Sequence, residues 1–298
     1  MSLSTLKSVS DVRLLVPTEE AALQLLINEG ILKDHRCCKK CGRLMRLRRR
    51  KDTYELRCRY EKNRDCSVEG IRNGSWFAKT RIPLKDAILL VVCWINQYSS
   101  KQIIQETGLS PTTIVDFRNF LRNACTYIVG TYPQLGGAGK IIQVDETALH
   151  TRKYGRGEKE RELTWILGAI EYPGRRCFMQ IVENRTAKNL LPILRQWIHR
   201  DSEVWTDCFK SYGTLNRFFA VHESINHSVE FTKTRPDGTV IHTNAIESLW
   251  QRLKQPLKAS NGTSETLLPS YVDEITVREW EQADFAEKIW GFIKDFQC

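Results

Sequence analysis

The sequence predicts a mixed α/β protein in which small N-terminal modules precede a larger sheet domain. Three observations predict it. Two cysteine pairs lie inside a strongly basic stretch, and a run with helix-turn-helix spacing follows them. Beyond a glycine-rich break the chain alternates in the order β-β-β-α-β-α-β-α, which is one sheet with helices on its faces. The 298 residues are enough for two or three domains. A hydrophobic content of 41% and a charged content of 27% are ordinary for a soluble globular chain.

The net charge of +10 is not ordinary. Residues 33–81 hold 17 Lys and Arg against 6 Asp and Glu, a balance of +11, so this segment carries the whole excess. A localised basic block points to a polyanionic partner, most simply nucleic acid, whereas a merely solvated surface spreads its charge. The first twenty residues lack the apolar core of a signal peptide. The longest apolar run, "AILLVVCWI", has nine residues, too few to span a bilayer. An intracellular chain with no membrane role is expected, its ten cysteines serving as thiols or metal ligands.

The elements follow in order. Residues 1–32 form an N-terminal helical segment, with Thr18 capping "TEEAALQLLIN" and Gly30 stopping it. Residues 33–82 form a basic zinc ribbon. Cys38 and Cys41 make a C-x-x-C knuckle, and Cys58 and Cys66 a looser second pair, with the strand-like "TYELRC" between them. Four thiolates would close the shell of one structural Zn(II), and Cys37 or His35 could replace a ligand. The metal would supply stability that so small and charged a segment lacks. "RLRRRK", with Arg46, Arg48, Arg49, Arg50 and Lys51, is expected to face DNA.

Residues 83–131 read as three helices: Leu84 to about Gln97, a short one capped by Ser99 or Ser100 and ended by Gly108, and one over 112–127 with Ser110 as cap and Pro111 in its first turn. In a helix-turn-helix the last helix enters the major groove by its first residues. Here those are Thr112, Thr113, Asp116 and Arg118. The same pattern also fits a structural three-helix bundle. "YPQLGGAGK", 132–140, reads as a linker, and 140–298 as the main domain with a helical C-terminal tail.

Asp145 closes the strand "KIIQVDET" and Asp207 closes "SEVWTD". Ligand sites in open α/β sheets lie at the carboxyl ends of strands. Convergent carboxylates are hard oxygen donors suited to Mg(II) or Mn(II). Either acid alone is as well explained as a turn residue. The third acid is sought in "HTNAIESLW". Helical spacing puts Ile246, Leu249, Trp250, Leu253 and Leu257 on an apolar face, and Glu247, Gln251, Lys254 and Lys258 on a polar, basic one. From the spacing alone, Asn244 as cap with Glu247 three residues on reads as a capping box before it reads as a metal site.

Together "CKKCG", "TGLSPTTIVDFRNFLR", "VDET", "VWTDCFKSY", "HTNAIESLWQRLK" and "LPSYVDEITVREW" resemble, in order and over nearly the whole chain, the Merlin-type DDE transposases, relatives of the bacterial ISXO-like insertion-sequence transposases. The resemblance implies an RNase H-like core and two Mg(II) or Mn(II) ions on Asp145, Asp207 and a third residue of "HTNAIE". Related subgroups use Glu or Asn there, and Glu247 is expected here, with His242 and Asn244 supporting and Lys254 beside the phosphate backbone. It also implies hydrolysis at the element's ends, transfer of the freed 3′-hydroxyls to target DNA, and double-stranded terminal repeats and target DNA as partners. A dimer or larger assembly on that DNA would follow. A eukaryotic host would place the protein in the nucleus, where "RLRRRK" fits an import signal, and a bacterial one in the cytoplasm with its DNA. Two features depart from the family: the wide second cysteine pair, and "DEITVREW" in place of the usual "DEFMWR". They admit a second reading, a domesticated DNA-binding regulator without catalysis, and a third, a nuclease that cuts without joining.

Overall fold

Short capping side chains start the first helices. Ser8 and Asp11 each accept the other's amide, a reciprocal box that opens α1, Val9–Leu15, a helix the sequence reading did not include. Thr18 accepts the Ala21 amide at the head of α2, Glu19–Asn28, and Gly30 beyond its end takes φ +76°. This computed structural model describes residues 2–51, 53–61, 64–150, 163–226, 229, 232–259 and 262–296. Lys62 and Asn63 of the cysteine segment and Phe231 of the basic loop before "HTNAIE" lie outside them. The chain divides into two compact units, 1–124 with 283–298, and 125–282.

In the first unit β1 (His35–Cys37), β2 (Leu44–Arg50), β3 (Thr53–Glu61) and β4 (Arg64–Gly70) form an antiparallel sheet in chain order. Strand alternation buries Met45 of β2 and leaves its neighbours Leu44 and Arg46 exposed. Helix α3, Leu84–Ile95, is buried along most of its length. A Ser99–Gln102 capping box opens α4, Ser100–Thr107, and Gly108 ends it at φ +69°. Ser110 then accepts the Thr113 amide, and Pro111 is the first residue of α5, Pro111–Val129. These ends fall where the capping residues of the sequence put them.

The second unit begins with β5 (Ile141–His150), β6 (Leu163–Tyr172) and β7 (Cys177–Val182), an antiparallel meander. Helix α6, Ala187–Trp197, leads to β8, Glu203–Asp207, and two 3-10 turns lead to β9, Val221–Ile225. Next come the small hairpin β10 (Lys233–Thr234) and β11 (Val240–Ile241), then α7 (Asn244–Ala259) and α8 (Leu268–Glu281). The sheet order is β7-β6-β5-β8-β9, with β5, β8 and β9 parallel. On one face Ile142, Val144, Leu167 and Phe178 pack with Leu190 and Leu194 of α6. On the other, Ile166, Ile170 and Met179 pack with Ile246, Leu249, Trp250 and Leu253 of α7 and Val272 of α8.

Several expectations change here. The segment 132–140 lies inside this unit. The Leu135 amide donates to Trp197 O at 2.7 Å, its carbonyl accepts the His199 amide at 2.8 Å, and the Gly137 amide donates to Ser202 Oγ. The tail divides at 282/283. The last helix, α9 (Phe285–Asp295), groups with the first unit, where Phe285 packs on Trp94. Strand β5 does not end at its acids but runs on to His150, because its pairing with β6 continues to Leu163. Among the described residues no helix is long and apolar enough to cross a membrane.

The start of α7 is held from the sheet. The first helical bond runs from the Glu247 amide to Thr243 O, so Thr243 is the cap and Asn244 the first helical residue. The capping box of Asn244 with Glu247 therefore does not form. The free amides of Ala245 and Ile246 donate to Oε1 of Gln143 on β5, at 2.9 and 3.2 Å. Gln143 is fully buried, and its Nε2 lies 3.3 Å from His242 Nδ1. Farther along, the Trp250 ring lies on Gly168 of β6, where an added Cβ would stand 2.4 Å from Trp250 Cη2.

Gln143→Ala strands two helix-end amides and is expected to cost about 1–3 kcal/mol, read from the urea midpoint with an unchanged slope; an unaltered midpoint would refute the cap. Gly168→Ala forces the indole to move and is expected to destabilise by about 1–3 kcal/mol. A shift in the fluorescence of Trp250 should accompany it, absent from the same comparison made in a Trp250→Phe background.

Candidate active site and cysteine cluster

The parallel ladder between β5 and β8 runs Ile141↔Glu203, Ile142↔Val204, Gln143↔Trp205 and stops. Asp145 and Asp207 each lie two residues beyond its last pair, on neighbouring strands at the same level. Here β5 keeps its antiparallel partner, with Asp145 opposite Gly168, while β8 ends. The opening between the two parallel strands thus begins where the acids stand, in keeping with ligand sites at strand carboxyl ends.

Alternation puts Gln143 and Asp145 on the face covered by α7. The Trp250 indole N–H donates to Asp145 Oδ2 at 2.9 Å. Glu247 lies three residues before Trp250, in the first turn of α7, and its carboxylate accepts the Thr243 hydroxyl at 3.3 Å. Burial pushes the Asp145 carboxyl above its usual range. The Trp250 and Glu146 N–H groups oppose the push, and the charges of Asp207 and Glu247 add to it. Both acids therefore lie near enough to act on Asp145. Among the described residues no three carboxylates bring oxygens within 4.8 Å of one another, so the three acids do not close on one point. Asp207 is fixed by its own turn, accepting the Phe209 amide at 3.0 Å.

Glu146 faces the other way, with its side chain only 2% exposed. Tyr212, five residues after Asp207, donates its hydroxyl to this carboxylate, and Arg185 Nη1 stands 3.9 Å away. Arg185 lies over the rings of Trp165 and Phe209, at 3.9 and 4.8 Å. Burial pushes the Glu146 carboxyl up to about 7. Sequence reasoning passed over Gln143, Glu146, Gly168 and Tyr212. The one signal for Glu146 was an acid in the alternate series Ile142, Val144, Glu146.

The remaining expected residues fall as follows. His242 is half-buried, with its ring against Tyr172 and Trp205 at 4.7 and 5.8 Å. Asn244 is exposed and its amide is 3.4 Å from His242 Nδ1. Lys254 is half-buried, two turns beyond Glu247. The C-terminal motif is spent on packing α8: Asp273 accepts the Thr126 hydroxyl at 2.7 Å, Glu274 pairs with Arg278 at 2.9 Å, and Trp280 stacks on Tyr132 at 4.1 Å.

In the first unit the sulfurs of Cys38, Cys41, Cys58 and Cys66 all lie within 4.8 Å of one another. The knuckle closes through the Gly42 amide on Cys38 O, with Gly42 at φ +72°. The wide second pair is a hairpin effect: Cys58 on β3 pairs with Ser67 on β4, and register shifts beyond it take up the extra residues. Cys38 and Cys66 are 3.7 Å apart and Cys41 and Cys58 3.4 Å. Tetrahedral sulfurs at the usual Zn–S distance stand about 3.8 Å apart, close to these two separations, so the set could hold one such ion. Burial pushes Cys58 up to about 12, and the neighbouring thiols add to this, while the Ser67 hydroxyl at 2.9 Å draws Cys38 down to about 6. Cys37 and His35 are exposed and outside the set.

Arg46, Arg48, Arg49, Arg50 and Lys51 are exposed, though Arg49 pairs with Glu20 at 2.6 Å and Arg50 with Glu55 at 3.7 Å. Thr112 and Asp116 are exposed, and Thr113 is half-buried against Ser110. Arg118 is engaged inside the unit, donating to Ser100 Oγ at 3.0 Å and Tyr98 O at 3.4 Å.

Residues 134–279 match the sequence profile of the ISXO2-like transposase domain. The matched span lies inside the second unit and includes Asp145, Asp207 and Glu247. A transposase-like protein of Haemophilus influenzae is 31% identical over 105 residues, which are 35% of this chain and 79% of that protein. Among solved structures, the Mos1 strand transfer complex aligns with 70% of this chain and 76% of its own at 12% identity and a TM-score of 0.28. The profile match and the similarity to most of a transposase-like protein place the chain in the ISXO2-like transposase domain family.

Proposed function

We propose that the chain is a cut-and-paste DNA transposase that binds terminal inverted repeats, cleaves at the element's ends and joins the 3′-hydroxyls to target DNA. The observation that carries this is the placement of Asp145 and Asp207 beyond the last parallel pair, with Glu247 on the helix gripped by the same strand. The strand order, an antiparallel meander extended by two parallel strands, supports an RNase H-like reading of the core.

Carboxylate oxygens suit Mg(II) or Mn(II). Asp145, Asp207 and Glu247 would hold the ions, and a pair about 3.5–4 Å apart agrees with acids that do not close on one point. Bound there, such ions activate an attacking oxygen and stabilise a leaving one in an in-line displacement. The protein's own part is to orient the acids. Trp250 fixes one oxygen of Asp145, the Phe209 amide fixes Asp207, and Thr243 holds Glu247. Lys254 and Lys258 continue the polar stripe of α7 and would meet DNA phosphates. Cys38, Cys41, Cys58 and Cys66 would hold one structural Zn(II) in a ribbon whose exposed Arg46, Arg48 and Lys51 face DNA. Helices α4 and α5 would act as a helix-turn-helix presenting Thr112 and Asp116, while Arg118 braces the pair. Two such chains, or more, would assemble on paired ends.

In a strand-transfer assay with pre-cleaved ends and Mg(II), Asp207→Asn and Glu247→Gln are expected to lower joining to background while end binding stays at the wild-type level. Asn244→Ala should retain joining. Reversal of the last two results would make Asn244 the third ligand. Metal analysis of the purified chain is expected to return one zinc per chain, lost in Cys58→Ser together with the cooperative unfolding of the ribbon. A zinc-free ribbon that melts like wild type would refute the structural role.

A further inference from the structure

Trp250 is held too tightly to turn away from Asp145. It is 6% exposed and belongs to the buried cluster of Ile166, Ile170, Leu249 and Leu253. The far edge of its ring occupies the space a side chain at 168 would take. Its N–H therefore stays on Oδ2 of Asp145, 2.9 Å away. The bond leaves Oδ1 as the oxygen the indole does not hold. Carboxylates bind Ca(II) readily through both oxygens in seven- or eight-fold shells, whereas Mg(II) demands a compact octahedron of single oxygens.

We propose that Trp250 is a specificity-determining positioning residue: by engaging Oδ2 it holds Asp145 to one-oxygen coordination and selects Mg(II) and Mn(II) against Ca(II). The inference rests on the reading of Asp145, Asp207 and Glu247 as a divalent-ion site. It gives one helix two jobs three residues apart, a third acid at Glu247 and the orientation of the first acid at Trp250. Gly168 is the seat that makes the second job possible.

The test is Mn(II) binding to the full chain, followed by the resonance of the free ion, with Mg(II) and Ca(II) as competitors. Asp145→Asn gives the baseline, since it leaves the cysteine cluster intact. Two variants remove the donor: Trp250→Phe, and Trp250→3-benzothienylalanine, which keeps the bicyclic shape and lacks only the N–H. Loss of the donor is expected to raise the Ca(II) to Mg(II) affinity ratio about tenfold, the scale on which orienting partners of metal ligands act. The same ratio in wild type and the benzothienyl variant would overturn the inference and leave the ion site standing. Wild-type Mn(II) binding no greater than that of Asp145→Asn would overturn both.

Discussion

Gln143 joins strand to helix by giving one oxygen to two amides. A helix start leaves its first N–H groups without partners, and the usual remedy is a short polar side chain next to it in sequence. Here the acceptor comes from β5, a hundred residues earlier in the chain, and is fully buried. Its spacing of two from Asp145 sets both side chains on one face of the strand. The helix and the first acid are thus referred to the same few ångströms of backbone. Glu247, one turn in, inherits its position from that bond, and its charge sits favourably near the positive end of the helix.

The sheet supplies the complementary constraint. Strand β5 is paired with β6 along its full length but with β8 only as far as Gln143. It is rigid on one side and open on the other, and the acids line the open side. Asp207, the last residue of β8, is held there from its other side, by its pairing with Ile225 of β9. Its own turn restrains it locally, and the bond from Tyr212 to Glu146 returns the following segment to the far face of β5. One strand thus anchors all three acids, two of them through residues that carry no chemistry themselves. Burial first, and then the charges of Asp207 and Glu247, raise the Asp145 carboxyl, and a cation bound there would offset them.

What the sequence disclosed and what it hid divide along physical lines. Local signals were legible: Ser99, Gly108, Ser110 and Pro111 mark helix ends that stand within a few residues of those expected. Hydrophobic alternation and spacing gave most of the strand and helix order of the second unit, though the helix expected between β8 and β9 is two 3-10 turns and the hairpin of β10 and β11 was not foreseen. Residue chemistry gave the four cysteines that cluster and singled out Asp145 and Asp207, while Glu247 came from the family resemblance. What depended on distant partners was not legible. The cap of α7 looked like Asn244 because the true acceptor is remote in sequence. Asp145 looked like a strand end because only one of its two ladders ends there. The glycine-rich segment 132–140 looked like a linker because its amides find their acceptors on Trp197, Glu171 and Ser202. Arg118 looked available for DNA because nothing in its neighbourhood reveals its contacts with Tyr98 and Ser100.

The contact between Gly168 and Trp250 carries an implication for how such chains diverge. The indole fills the volume that any side chain at 168 would claim. Position 168 cannot then change first: a larger residue there is tolerated only after the tryptophan has gone, and a return of the tryptophan is blocked until the glycine is restored. The order of substitution matters, and a lineage that has crossed in one direction meets a barrier on the way back. Positions 168 and 250 should therefore be inherited as a pair, so that losing the tryptophan in a descendant would mark a change at the acid it touches as well as at the strand beneath it.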